Sequence, residues 1–69
     1  MITLDNYIRH AGVEGWYIVK AVPYYVECQD WLIFESGIAR YEFLGLYKDK
    51  SVFAFPKESD AVEFALRWT

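Results

Sequence analysis

Apolar positions along the chain change their spacing several times, and each change predicts a new element. Between residues 3 and 11 they recur every three or four positions, as in a short amphipathic helix. The stretch "WYIVKAV", 16–22, is rich in β-branched and aromatic residues and predicts a strand. Residues 23–37 open on Pro23 and close on Gly37, which favours a second helix, although "DWLIFE" within them also suits a strand.

Residues 39–55 predict a β-hairpin that turns at 48–51. The loop length decides which side chains share a face, because a shift of one residue exchanges the two faces of a strand. An even-numbered loop places Leu44 with Phe53, whereas an odd-numbered loop places it with Val52. The sequence leaves both registers open.

The last segment, "SDAVEFALRWT", predicts a third, clearly amphipathic helix. Ser59 or a neighbour is expected to cap it, and acidic residues lie near its start, where the helix dipole favours them. Trp68 is expected to be the last core residue, on an apolar arc opposite the polar Asp60, Glu63 and Arg67. The other members of this predicted arc are Ala61, Val62, Phe64, Ala65 and Leu66.

The predicted order is therefore helix, strand, helix, strand, strand, helix. This order indicates one α+β domain over residues 1–69, in which a small antiparallel or mixed three-stranded sheet packs against helices. Residues 16–69 form the sheet-and-helix core, and the helix at 3–11, with Thr3 as a possible cap, is an addition to it.

Composition predicts an apolar surface as well as an apolar core. Hydrophobic residues make up 55% of the 69 positions, with three Trp, six Tyr and five Phe. A domain this small encloses only a small core, so some of this material is expected to face a partner. The alternative is that the helix at 3–11 folds over this second apolar layer. The predicted partner or dimer interface consists of Trp16, Ile18, Lys20, Val26, Ile33 and Phe34.

Few residues suggest catalysis or cofactor binding. Cys28 is the only cysteine and His10 the only histidine, so a disulfide and a four-ligand structural zinc site are excluded. Cys28 is expected to be a buried thiol on the core side of its helix, and His10 a residue that interacts with the end of the helix dipole. We therefore predict no enzyme activity, no cofactor and no metal.

Charge and targeting signals limit the possible partners and location. The net charge is −3, and the lysines around the hairpin alternate with acids, which argues against phosphate contacts. A single-stranded nucleic-acid module that stacks bases on "RYEF" and "VFAF" is the alternative function.

The first twelve residues lack the apolar run of a signal peptide, and no stretch reaches the roughly 20 apolar residues of a membrane span. With one unpaired cysteine, an intracellular location is expected.

Four segments resemble small accessory proteins of tailed bacteriophages. These proteins carry a strand that ends in "VP", a helix with Trp and Cys, a "vFvF"-like hairpin and a terminal "DAxxFxLrW". The corresponding segments here are "VKAVP", "VECQDWL", "SVFAF" and "DAVEFALRW". The resemblance covers roughly three quarters of the chain, from Tyr17 to Thr69, and the residues before Gly15 lie outside it.

The resemblance implies a truncated ferredoxin-like β-α-β-β-α core without its final strand. Strand 16–22 would then have an open edge, guarded only by Lys20, and would be suited to pairing in a homodimer or with a strand of a host protein. The resemblance also implies a function in the host cell cytoplasm. There the protein would bind a host protein, such as a defence or regulatory protein, and inhibit or redirect it.

Overall fold

The computed structural model describes residues 4–69, which form three helices around a three-stranded sheet. The order along the chain confirms the predicted one. The elements are α1 (Leu4–Ala11), β1 (Tyr17–Ala21), α2 (Tyr25–Phe34), β2 (Glu42–Tyr47), β3 (Lys50–Phe55) and α3 (Glu58–Trp68).

The sheet is antiparallel throughout, and its strand order is β1-β3-β2. β3 is the central strand and pairs with β1 from Tyr17 opposite Phe55 to Ala21 opposite Ser51. β1 and β2 therefore form the two edges of the sheet. The prediction of a small α+β domain is confirmed. The sequence had left open whether the sheet is antiparallel or mixed, and all its strand pairs are antiparallel.

Both faces of β3 are buried, which makes the molecule three layers thick. Phe53 and Phe55 pack against α3, where the ring of Phe64 lies 4.9 Å and 5.1 Å from theirs. Val52 and Ala54 point to the opposite face because side chains alternate along a strand, and they are buried as well. α1 contacts β2, and Val13 just after α1 is buried without belonging to the core beneath α2 and α3. We therefore place α1 on the opposite face, as the third layer.

The larger core lies between the sheet and the helices α2 and α3. Each of these helices contributes two fully buried or nearly buried residues, and aromatic rings from β2 and β3 fill the space between them. The buried members are Val19, Ala21, Cys28, Leu32, Ile38, Phe53, Phe55, Ala61 and Phe64.

α1 ends as the sequence predicts, just before Gly12. The N–H of Gly12 donates to the carbonyl of Arg9, and the N–H of Val13 donates to the carbonyl of Ile8. This pair of bonds requires a left-handed residue after the helix, and Gly12 supplies it with a φ of 72°. The predicted cap Thr3 lies outside the described residues.

α2 is a helix rather than a strand, but it stops three residues before Gly37. Ser36 ends it, because its N–H donates to the carbonyl of Trp31 at 2.9 Å and its hydroxyl donates to the carbonyl of Leu32 at 2.8 Å. The same hydroxyl accepts the N–H of Ile38 at 3.0 Å. Gly37 follows with a left-handed φ of 75°, so the helix ends through the bonds of Ser36, with the predicted glycine directly after them.

The hairpin turns at Lys48 and Asp49, an even-numbered loop, but neither predicted register holds along its whole length. Tyr47 lies opposite Lys50, and an irregularity between Phe43 and Gly45 then shifts the pairing by one residue. The extra residue brings Phe43, not Leu44, opposite Phe53. This bulge puts the larger aromatic ring into the core, where its centroid lies 4.9 Å from that of Phe53.

The apolar side of α3 buries fewer residues than its sequence pattern predicts. Lys57, not Ser59, occupies the cap position, and Ser59 lies within the first turn. Val62 and Leu66 belong to the predicted apolar arc, yet both are exposed. The sheet meets only the stripe centred on Ala61 and Phe64, because a helix resting on a sheet buries only the side that faces it.

Candidate protein-interaction surface

The six residues predicted as an interface lie on two sides of the molecule. In β1, Val19 and Ala21 point into the core beneath the helices. Ile18 and Lys20 alternate with them and therefore point to the face that carries α1. Ile18 is half-buried there and Lys20 is exposed. This side is the part of the second apolar layer that α1 partly covers.

Trp16 lies on the chain that connects α1 to β1 and is also half-buried. The guanidinium carbon of Arg40 lies 5.3 Å from the centre of the Trp16 ring, within the range of a cation–π contact. Trp16 therefore already has a neighbour within the chain, which leaves less of its ring for a partner.

The other three predicted residues lie on α2 and face solvent. Val26 is 54% exposed, Ile33 is 60% exposed and Phe34 is 78% exposed. Val26 and Ile33 are seven positions apart and so share a side of the helix, opposite the buried Cys28 and Leu32. We call Val26, Ile33 and Phe34 the outer strip of α2.

Beside the outer strip, a groove of about 360 Å³ runs between α2 and α3. Phe34 belongs to both features, so the strip and the groove form one continuous surface. We call this feature the α2–α3 groove; its walls are Glu27, Asp30, Trp31, Phe34, Glu35, Arg67 and Trp68.

Aromatic rings form the floor of the α2–α3 groove. The ring of Trp31 meets that of Trp68 edge-on, with centroids 6.3 Å apart and an interplanar angle of 75°. The guanidinium carbon of Arg67 lies 4.5 Å from the centre of the Trp68 ring. Within residues 4–69, the buried indole nitrogen of Trp68 has no hydrogen-bond acceptor.

Sequence reasoning missed the groove, although half of it has a sequence signal. Positions 27, 30, 31 and 34 follow a spacing of three and four, which places two acids and two aromatic residues along one side of α2. The other half comes from the end of α3. Arg67 was predicted only as part of the polar side of α3, because a helical wheel does not show which other helix lies beside that side.

Cys28, the one candidate nucleophile, is fully buried in the core. Burial, together with the nearby charge of Glu27, raises the pKa of its thiol to about 11, and Arg67 opposes this shift. A thiol with this pKa remains protonated at neutral pH, and the thiolate is the nucleophilic form. His10, the other candidate, is exposed at the end of α1.

The aromatic residues proposed for base stacking are mostly core residues. Phe53 and Phe55 are fully buried, and Phe43 packs against Phe53. At the tip of the hairpin, the Lys48 ammonium nitrogen lies 5.4 Å from the centre of the half-buried Tyr47 ring.

Residues 4–69 contain neither a metal-ligand cluster nor a helix that could cross a membrane. No group of three or more His, Cys, Asp or Glu side chains is arranged to hold a metal ion there. In the same range, the helices are too short or too polar to cross a membrane.

Comparison with known proteins adds no relative. No family model matches the sequence, and no match was found among curated proteins or among solved structures. Function is therefore inferred from the geometry of the residues, together with the resemblance of the four segments described above.

Proposed function

We propose that this chain is a non-catalytic protein-binding module whose contact surface is the outer strip of α2. The observation that carries the proposal is the exposure of Val26, Ile33 and Phe34 on a helix whose opposite side is already buried. Exposed apolar patches mark interaction sites, and aromatic residues are enriched in the cores of interfaces. Ile33 and Phe34 are direct neighbours, and Val26 lies two turns away along the same helix.

We further propose that the module is a phage accessory protein that acts in the host cytoplasm, where it binds a host protein and inhibits or redirects it. The resemblance of "DAVEFALRW" and the three other segments to tailed-phage proteins supports this. A ferredoxin-like core is part of the same proposal. The strand order β1-β3-β2, with α2 and α3 packed on one face, is what a β-α-β-β-α core of that type requires.

A homodimer through β1 is the second part of the proposal. In the described residues β1 pairs with β3 alone, so its outer edge offers unpaired backbone groups to another strand. Lys20 is exposed on this strand, and Tyr17 at its start is exposed as well. A second β1 packed antiparallel would extend the sheet across a twofold axis.

Affinity capture from a bacterial lysate, followed by mass spectrometry, tests the contact surface. Ile33→Asp is expected to lose a partner that the unaltered protein retains, because a charge in an apolar interface is desolvated without compensation. Leu66→Asp is the matched control, since Leu66 is 84% exposed on α3 and lies outside the strip. Equal capture by both variants, each folded by circular dichroism, would exclude the outer strip as the contact surface.

Hydrogen exchange and sedimentation test the homodimer. In a monomer, alternate amides of β1 point away from β3 and exchange fast, whereas pairing of two β1 strands protects them. We expect protection of all β1 amides to rise with protein concentration, in parallel with the sedimenting mass. A monomer at all micromolar concentrations would refute the dimer without affecting the proposal for α2.

The alternative nucleic-acid module has less support. Base stacking needs exposed rings, and Phe53 and Phe55 are buried beneath the helices. Binding of single-stranded oligonucleotides that weakens steeply with salt would favour this alternative.

A further inference from the structure

We propose that the α2–α3 groove binds an arginine side chain presented by a segment of the protein partner. This inference rests on the proposed protein-binding function and adds to it the chemistry of the partner. Three properties of the groove support it: its charge, its aromatic floor and the apolar surface beside it.

The negative net charge of the groove favours a cationic ligand. Glu27, Asp30 and Glu35 are exposed along its α2 wall, and Arg67 is the one basic residue among those that line it. Three carboxylates against one guanidinium leave the groove with a net charge of −2. Charge complementarity of this kind favours a basic partner and disfavours an acidic one.

The aromatic floor selects arginine among the possible cations. The guanidinium of Arg67 lies over the Trp68 ring at 4.5 Å, which shows how a planar cation stacks on an indole here but leaves less of that ring for a partner. Trp31 and Phe34 offer further ring surface in the same groove. Guanidinium stacks on such rings and donates paired hydrogen bonds to carboxylates, which a lysine ammonium cannot do with the same geometry.

The apolar surface beside the groove indicates a protein segment rather than a small free cation. Phe34 lines the groove while most of its ring faces solvent, and Ile33 is exposed next to it. An apolar residue adjacent to the arginine would cover these two side chains while the guanidinium enters the groove. The expected recognition element is therefore an arginine flanked by large aliphatic residues.

The three tryptophans allow a direct test by NMR, because Trp31 and Trp68 line the groove and Trp16 lies outside it, beside Arg40. The probe is the peptide acetyl-Leu-Arg-Leu-Arg-amide, titrated into ¹⁵N-labelled protein. The matched control peptide carries citrulline in place of arginine, which keeps the shape and removes the charge. We expect saturable shifts of the indole signals of Trp31 and Trp68 with the arginine peptide, and no shift of Trp16.

Three variants test whether the carboxylates of the groove contribute to the affinity for the peptide. Asp30→Asn and Glu35→Gln each remove one carboxylate from the groove, and each is expected to weaken binding about tenfold, as for loss of a charge-assisted hydrogen bond. Glu42→Gln is the matched control, since Glu42 is exposed on β2 and outside the groove. It is expected to leave the affinity unchanged.

Several results would overturn the inference. Equal binding of the citrulline peptide would mean that apolar contacts alone drive binding, and shifts confined to Trp16 would place the site outside the groove. An equal loss of affinity with Glu42→Gln would mean that the peptide responds to the net charge of the protein and not to the carboxylates of the groove. If the peptide fails to bind while Ile33→Asp still abolishes capture of a partner, the groove inference fails and the protein-binding proposal stands.

Discussion

Two serines show how the surroundings of a single hydroxyl set its contribution to stability. Ser51, on the central strand β3, is fully buried, and its hydroxyl has no hydrogen-bond partner within the described residues. Ser36, after α2, uses its hydroxyl twice, as donor to Leu32 and as acceptor from Ile38. A buried polar group without a partner keeps its full desolvation cost, whereas a bonded one recovers it.

The same substitution at both serines should therefore have opposite effects. Ser51→Ala is expected to leave stability unchanged or raise it by up to about 1 kcal/mol, and Ser36→Ala to lower it by about 1 kcal/mol. Urea denaturation followed by circular dichroism measures both. A clear loss of stability in Ser51→Ala would show that its hydroxyl is bonded in solution.

Trp68 connects the end of α3 to the rest of the core. Its half-buried ring contacts Trp31, and its carbonyl accepts the N–H of Val22 after β1 at 3.1 Å. Trp68→Ala is expected to cost about 3 kcal/mol, the low end for aromatic truncations because part of the ring is exposed. Leu66→Ala, at an exposed site on the same helix, is the control and should change stability by less than about 0.5 kcal/mol. A Trp68→Ala cost below about 1 kcal/mol would mean that the ring contributes little to the core.

At the scale of elements, the β2–β3 turn is the most strained connection. Lys48 and Asp49 both adopt positive φ, at 48° and 63°. This is the two-residue turn that matches the twist of a hairpin, and it normally carries Asn-Gly or Asp-Gly. Neither residue here is glycine or asparagine, so the turn itself disfavours the hairpin. The pairing and burial of the two strands stabilise it instead.

Asp49→Gly should relieve this strain. The expected gain is about 1 kcal/mol, because a left-handed backbone costs a residue with a Cβ about that much and glycine very little. Asp30→Gly, the same change inside α2, is the control and is expected to cost about 0.3 kcal/mol. Thermal denaturation of the two variants should shift in opposite directions. A loss of stability in Asp49→Gly would mean that its side chain contributes more than its backbone costs.

At the scale of the whole molecule, Cys28 is the one titratable residue among the fully buried members of the core that the structure describes within residues 4–69. The thiol keeps its proton longer in the folded protein, because its pKa is raised from 9.0 to about 11, mainly by burial. The stability that this burial of the neutral thiol contributes is fully present below pH 9. It is lost as the pH rises through about 11, since the folded protein must then bury a thiolate.

The difference in stability between the unaltered protein and Cys28→Ala should therefore shrink with rising pH. We expect it to fall by about 2 kcal/mol between neutral pH and pH values above the folded pKa. The comparison at each pH removes the contributions of all other ionisable groups, because both proteins carry them. A constant difference would show that water or a local opening reaches the thiol.

The arrangement of elements follows largely from local sequence patterns. The β-branched and aromatic residues of "WYIVKAV", the three-and-four spacing in "DAVEFALRW" and Gly12 after α1 each act over a few residues, so they predict β1, α3 and the end of α1. The exposure of Val26 and Ile33 was also predictable, because α2 has apolar residues on more sides than one sheet can cover.

Features that depend on distant partners were decided by tertiary structure. The bulge at Gly45 brings Phe43 opposite Phe53 because a ring fills the core there better than Leu44 would, and no local signal in the hairpin specifies that gain. The groove needs Arg67 and Trp68 beside α2, a contact between segments more than thirty residues apart. The sequence by itself predicted the order of the elements and how much apolar surface they carry, and it left only the α2 segment open between helix and strand. Only packing decided which of those surfaces meet and which remain open to a partner, because burial is a property of the assembled faces.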